Sequence, residues 1–68
     1  MEMEVVAKLF PCKALVCPTI YKSEKGTFVI QGTRVSDKVR EDIPMAEDEE
    51  AVEIPAELID ILIRNLKE

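Results

Sequence analysis

The sequence predicts an α+β domain in which a small, mainly antiparallel sheet of about four strands packs against one C-terminal α-helix. Three observations lead to this fold class. Residues 3–10 alternate in polarity like a β-strand, residues 19–31 have the pattern of a hairpin, and residues 56–67 show the signals of a helix. Because the chain has 68 residues, all of these elements are expected to form one domain, residues 1–68.

The first strand is predicted over residues 3–10, where every second side chain is apolar. Pro11 is expected to end it, because proline cannot donate a hydrogen bond to a neighbouring strand. Side chains that alternate along a strand point to opposite faces of the sheet. The apolar face of this strand is made by Met3, Val5, Ala7 and Leu9.

A hairpin is predicted from residues 19–22, a turn at 23–26 and a returning strand at 27–31. Gly26 closes the turn, where a left-handed backbone conformation is expected, and glycine adopts it without a Cβ clash. Ile20 should then share a sheet face with Phe28 and Ile30. Gly32 interrupts the returning strand and indicates a bulge or a close backbone approach before residues 33–35 continue.

Residues 36–50 are predicted to be mostly a mobile, solvated acidic loop. They show no clean period and end in a block of like charges that repel one another. The block lacks the glycine and ligand spacing of a calcium loop, so a solvated surface is the preferred interpretation. A short strand at 51–54 follows this loop.

The C-terminal helix is predicted over residues 56–67. Pro55 suits its first turn, and acidic residues early with basic residues late match the helix dipole. On a helical wheel the apolar side chains cover an arc of roughly 200°, wider than one side of a small sheet can bury. The excess predicts self-association through this helix, and the expected interaction residues are Ile59, Ile61, Ile63 and Leu66.

Charge is unevenly distributed in a chain whose formal net charge is −5. Residues 1–40 contain seven Lys or Arg against four Asp or Glu, and residues 41–68 contain two against ten. Binding to nucleic acid or to an anionic membrane depends mainly on cationic surfaces, so neither partner is expected. Local binding through Lys22, Lys25 and Arg34 is a disfavoured alternative.

The compartment expected from the sequence is the cytoplasm. Residues 1–10 lack the cationic start and long apolar stretch of a signal peptide, and no apolar run reaches the length of a membrane span. Few Asn and Gln residues accompany many Ile, Val, Glu and Lys residues, which resembles the composition of proteins from heat-adapted organisms.

Cys12 and Cys17 have four possible roles. The preferred interpretation is a pair of free cysteines that act as small buried hydrophobes. A disulfide is the next, and it requires a turn between them. A zinc ion shared by the four thiolates of a dimer is the third, because one chain has only two thiols and no histidine. Redox catalysis is the fourth, although the spacing is not that of redox helices.

The segments CPTIYKSEKGTFVIQG (17–32) and VEIPAEL (52–58) resemble a group of short bacterial proteins of unknown function. Those proteins carry similar CPT, GT(F/Y)V, VQG and EIP segments. The resemblance covers about half to two thirds of the chain, excludes residues 36–50 and Cys12, and implies no activity. It slightly favours a structural role for Cys17. The matching residues are Cys17, Pro18, Gly26, Gly32 and Pro55.

The leading functional prediction is a noncatalytic protein-interaction module that forms a homodimer and has an unknown protein partner and no cofactor. An enzyme is not expected, because without histidine a general base near neutral pH would need a strongly shifted carboxylate or lysine. The alternative is a thiolate protein that uses Cys12 and Cys17 for redox chemistry or to bind zinc.

Overall fold

The computed structural model describes residues 2–10, 12 and 17–67. The described chain contains five strands and two helices, and the predicted α+β fold class is confirmed. No helix in this part of the chain is long and apolar enough to cross a membrane. In chain order the elements are β1 (Met3–Lys8), β2 (Thr19–Ser23), β3 (Phe28–Gln31), β4 (Thr33–Arg34), α1 (Asp37–Asp42), β5 (Val52–Glu53) and α2 (Ala56–Leu66).

The main sheet consists of β1, β2 and β3 in that spatial order, and all its strands are antiparallel. Val5 pairs with Tyr21 and Ala7 pairs with Ile20, so Val6 is an additional residue on β1, a β-bulge. The bulge twists the outer strand locally and changes which side chains of β1 point toward the helix. Ala7 therefore lies directly beside Ile20 in the core.

The β2–β3 turn forms as the sequence predicts. Gly26 has a φ of 82°, and its N–H donates to the Ser23 carbonyl at 3.2 Å. The Ser23 N–H donates to the Thr27 carbonyl at 2.8 Å, which closes the hairpin. The hydroxyl oxygen of the buried Ser23 accepts bonds from the N–H groups of Lys25 and Thr27, so this side chain fixes the turn from inside.

Gly32 marks a close backbone approach, one of the two outcomes predicted for it. A Cβ atom at this position would lie 2.5 Å from the Glu53 carbonyl oxygen and 2.7 Å from Cγ2 of Ile54. Only glycine leaves room for the β5 segment to pass so near. Gly32 therefore lies between β3 and β4, directly against the β5 segment.

The strands after Gly32 form a second, two-stranded sheet and do not continue the first. Thr33 pairs with Glu53 and Arg34 pairs with Val52 in antiparallel register. The prediction of one sheet of about four strands is therefore corrected to sheets of three and two strands. At Gly32 the chain leaves its pairing with β2, and the residues that follow pair with β5 instead.

The core lies between the main sheet and α2. Ala7 and Ile20 are each 1% exposed, and Leu58 is completely buried. The helix packs chiefly over β1, and Asn65 near its end donates from Nδ2 to the Val6 carbonyl at 2.7 Å. The partly buried residues around this core are Val6, Leu9, Ile54, Ile61 and Leu62.

The range predicted to be mostly loop, residues 36–50, contains the short helix α1. Ser36 caps it, because its hydroxyl accepts a bond from the Val39 N–H at 3.3 Å, and Asp37 lies in its first turn. The prediction of an irregular segment is therefore wrong for residues 37–42. The acidic block at 47–50 has no helix or strand, and the predicted mobility of 36–50 stays a prediction.

Candidate interaction surface

Two sides of α2 have different environments. Leu58, Ile61 and Leu62 point toward the sheet and belong to the core or pack against it. At about 100° per residue, positions 59, 63 and 66 fall together on a neighbouring side of the helix. We call this side the α2 flank; it consists of Ile59, Ile63 and Leu66, which are 40%, 47% and 59% exposed.

Three of the four predicted interaction residues therefore share one exposed side. Ile61 lies elsewhere, because it packs against the buried cluster formed with Leu58. The excess width of the apolar arc is thus real, but it results from Ile59, Ile63 and Leu66. A role of these residues in binding stays a prediction.

The strand β3 presents a second set of exposed apolar side chains. Phe28, Val29 and Ile30 are 48%, 39% and 43% exposed. Ile30 pairs directly with the buried Ile20, so Phe28 and Ile30 point to the same sheet face as Ile20, as the sequence predicts. We call these two side chains the β3 strip.

The β3 strip is exposed because α2 covers the opposite edge of the same sheet face, above β1. The helix packs against β1, and the sheet order β1-β2-β3 places β3 two strands away from β1. Neighbouring strands are about 4.8 Å apart, so a helix of about 10 Å diameter above β1 does not reach β3.

The α2 flank lies on the same side of the helix as the rest of the sheet. Leu66 and Lys22 line one surface depression, and Lys22 is on β2, next to Phe28 across the β2–β3 pairing. The flank and the β3 strip therefore border one open area of the sheet face. The interaction residues expected from the sequence do not include β3, although FVIQ at 28–31 contains no charge, which is unusual for an exposed strand.

Cys12 and Cys17 form a disulfide in this structure, and their Cα atoms are 6.2 Å apart. β1 ends at Lys8, but the Leu9 N–H donates to the Pro18 carbonyl at 3.2 Å, so the pairing with β2 extends by one residue. Both cysteines therefore lie at the same end of the β1–β2 hairpin. Pro11 and residues 13–16, where the turn between them was predicted, lie outside the described residues.

Because the two cysteines are bonded to each other, the preferred interpretation of two free buried thiols is wrong for this structure. Both residues are only half-buried, and bonded sulfur atoms are not available as thiolates. Among the described residues, no group of three or more potential metal-ligating side chains occurs. A zinc ion shared across a dimer would require reduced cysteines, and this alternative stays a prediction.

Charged side chains occur at the β2–β3 hairpin and in the segment between β4 and β5. Lys22 is on β2, and Lys25 is in the turn between β2 and β3. The acidic block at 47–50 follows β4 and α1 in the chain. Arg40 and Glu50 form an exposed ion pair, with Nη2 of Arg40 2.9 Å from Oε1 of Glu50. The hydrogen bonds from Arg40 lower the pKa of the Glu50 carboxyl from its ordinary value. Such an exposed pair stabilises the fold only slightly.

Comparison of the chain with family models, with curated proteins and with solved structures finds no match. The resemblance to short bacterial proteins therefore stays a prediction. In the structure, three of its matching residues lie together, since Cys17, Pro18 and Gly32 line one depression of the surface.

Proposed function

We propose that the chain is a noncatalytic protein-interaction module that associates with a second copy of itself through the α2 flank and the β3 strip. The observation that supports this most is that several large apolar side chains are exposed, although the core is very small. Five side chains border one open area, whereas three apolar residues form the buried cluster in the part of the chain that the structure describes. Exposed apolar surfaces of this kind are typical of protein interfaces.

Size gives a second reason for association. A domain of 68 residues buries a smaller fraction of its surface than a larger domain, and oligomerisation is one common means of stabilising it. The disulfide closes only a short loop and does not cover the β3 strip. Burial of that strip and of the α2 flank in a dimer would extend the small core.

The noncatalytic part of the proposal depends on the sequence. Without histidine, general acid–base chemistry near neutral pH requires a carboxylate or a lysine whose pKa is shifted by burial or by a neighbouring charge. The carboxyl group whose pKa is lowered among the described residues is that of Glu50, which is exposed and paired with Arg40. This pair has the character of a surface ion pair.

Two glutamate substitutions on the same helix test the proposed interface. Ile63→Glu is expected to give a folded monomer, because Ile63 is 47% exposed and a charge there should change the free energy of unfolding by no more than about 0.5 kcal/mol. Ile61→Glu, the matched control, is expected to lower it by about 2 kcal/mol or more, because it places a carboxylate against the core. Light scattering after size exclusion measures the mass, and urea denaturation measures stability.

The proposal is contradicted if wild type and Ile63→Glu have the same mass under all protein concentrations tested. If Ile63→Glu unfolds as completely as Ile61→Glu, the α2 flank belongs to the core, and the expected interface is limited to β3.

The second candidate function is a thiolate protein that binds zinc or transfers electrons through Cys12 and Cys17. The observation that favours it is the proximity of the two sulfur atoms at the end of the β1–β2 hairpin. A pair that can form a disulfide can also, when reduced, present two thiolates to a metal ion.

Replacement of both cysteines by serine separates the two functions. If the pair is a structural disulfide, we expect the double variant to lose about 2 kcal/mol of stability, because the cross-link closes a loop of only a few residues. Its oligomeric mass should be that of the wild type. Loss of a bound metal ion together with loss of the dimer, measured by native mass spectrometry, would instead favour the thiolate protein.

A further inference from the structure

We propose that two copies of the chain pair antiparallel along the outer edge of β3, so that their main sheets join into one six-stranded sheet. This inference rests on the proposed self-association and specifies its geometry. The strand β3 is at the edge of the main sheet, and within the described part of the chain its only hydrogen-bonded neighbour is β2. Its outer side is therefore open to another strand.

The register of the hairpin shows which backbone groups point outward. The Ser23 N–H donates to the Thr27 carbonyl, which makes this a hydrogen-bonded pair. Such pairs alternate with non-hydrogen-bonded pairs in antiparallel sheets, so Val29 bonds to β2, whereas Phe28 and Ile30 do not. The N–H and carbonyl groups of Phe28 and Ile30 thus face away from β2.

The opposite edge of the sheet is protected, and β3 is not. β1 contains a bulge at Val6, and the Val6 carbonyl already accepts a bond from Asn65. Glu4 and Lys8 also place charges along β1. Bulges and charges are common means by which proteins prevent pairing at an edge. β3 has no charge, no proline and no register shift.

The sequence of β3 is complementary to itself in the antiparallel direction. With Val29 placed opposite the partner's Val29, Phe28 lies opposite the partner's Ile30, and Thr27 lies opposite the partner's Gln31. Every pair then joins two apolar or two polar side chains, which stabilises antiparallel pairing. In this register Phe28 and Ile30 form the hydrogen-bonded pairs, which agrees with the outward direction of their backbone groups.

These pairings favour a second copy as the occupant of this edge. Two chains of net charge −5 repel one another, but residues 27–31 bring no like charges together. A two-fold axis through Val29 gives a closed, symmetric dimer, the commonest kind of protein oligomer. A four-residue edge alone buries less than the roughly 1,000 Å² of a stable interface. The joined β3 strips, bordered by the α2 flank of each copy, supply further apolar contact.

Proline substitutions at neighbouring positions test the edge. Ile30→Pro removes an outward N–H and keeps the bonds to β2, so we expect a folded protein whose dimer dissociation constant rises at least about 30-fold. Val29→Pro, the matched control, removes an N–H that bonds to β2 and should unfold the sheet. Circular dichroism reports folding, and sedimentation measures the dissociation constant.

Cysteine substitutions give a second test, which does not require that β3 tolerate a proline. Val29→Cys should form a disulfide-linked dimer under mild oxidation, because the two residues lie opposite each other near the two-fold axis. Phe28→Cys, whose partner across the axis is Ile30, should cross-link at least about ten-fold more slowly. Peptide mass spectrometry identifies the bond.

The outcomes separate this inference from the proposed function. A dimer that survives Ile30→Pro and does not cross-link through Val29→Cys overturns the β3 pairing and leaves self-association through another surface. A wild-type chain that is monomeric overturns both. If Ile30→Pro fails to fold, cross-linking of Val29→Cys decides the matter.

Discussion

Leu58→Ala is expected to lower the free energy of unfolding by about 3 kcal/mol, the largest effect of any single truncation predicted for this chain. Leu58 is completely buried and joins α2 to Ala7 and Ile20. Its removal leaves a cavity between α2 and the main sheet. Among the described residues, this is the only contact between helix and sheet whose members are all fully buried. A chain of 68 residues is expected to have only roughly 3–10 kcal/mol of stability, so the variant should be largely unfolded when warmed.

Leu66→Ala is the matched control for this prediction. It removes the same atoms from the same helix, but Leu66 is 59% exposed, so the stability of the monomer should fall by less than about 1 kcal/mol. Urea denaturation of both variants, at a concentration where each is monomeric, measures the difference. Equal losses at positions 58 and 66 would contradict the packing of α2 described above.

Gly32→Ala is expected to lower the free energy of unfolding by about 2 kcal/mol, because the new methyl group overlaps backbone. Its Cβ would lie 2.5 Å from the carbonyl oxygen of Glu53, and a backbone atom cannot rotate away as a side chain can. The strand β5 must then move and weaken its pairing with β4. Thermal unfolding followed by circular dichroism measures the effect.

Gly26 provides the comparison for Gly32. Nothing lies within 4 Å of a Cβ at Gly26, but its φ of 82° makes alanine unfavourable by about 1 kcal/mol. Asn tolerates this conformation, so Gly26→Asn should recover part of the loss, whereas Asn at position 32 should be worse than alanine. Full stability of Gly32→Ala would show that β5 does not pass as close as described.

Local chemistry explains why the hairpin and α2 could be predicted from sequence. The left-handed Gly26 and the period of two around it specify the β2–β3 hairpin, whose register follows from the length of the turn. Pro55 and the spacing of Leu58 and Leu62 specify the helix and its buried side. These features depend on residues that are close to one another in the sequence.

Other features depend on contacts between distant segments, and sequence patterns did not reveal them. The separation of β4 and β5 into a second sheet follows from the approach of Ile54 to Gly32, which are 22 positions apart in the numbering. The pairing of Cys12 with Cys17 follows from the antiparallel register of β1 and β2. The helix α1 was overlooked because its capping residue, Ser36, stands before a short, highly charged segment.

The sequence predicts only the part of the interaction surface that lies on α2, and the reason is physical. The helical period identifies which side chains of α2 lie together, but it does not determine which of two neighbouring arcs meets the sheet. The structure places Ile61 toward the core and Ile63 outward. The exposure of Phe28 and Ile30 depends on the position of α2 over β1, which no local pattern encodes.

The mass of the untagged chain in solution is the most direct test of the central claim. Native mass spectrometry of protein prepared without a chelator is expected to show a metal-free dimer of twice the 7.7 kDa chain mass, and dilution should dissociate it. A metal-free monomer at every concentration would contradict self-association. A dimer that contains zinc and reduced cysteines would replace the interaction module with the thiolate protein.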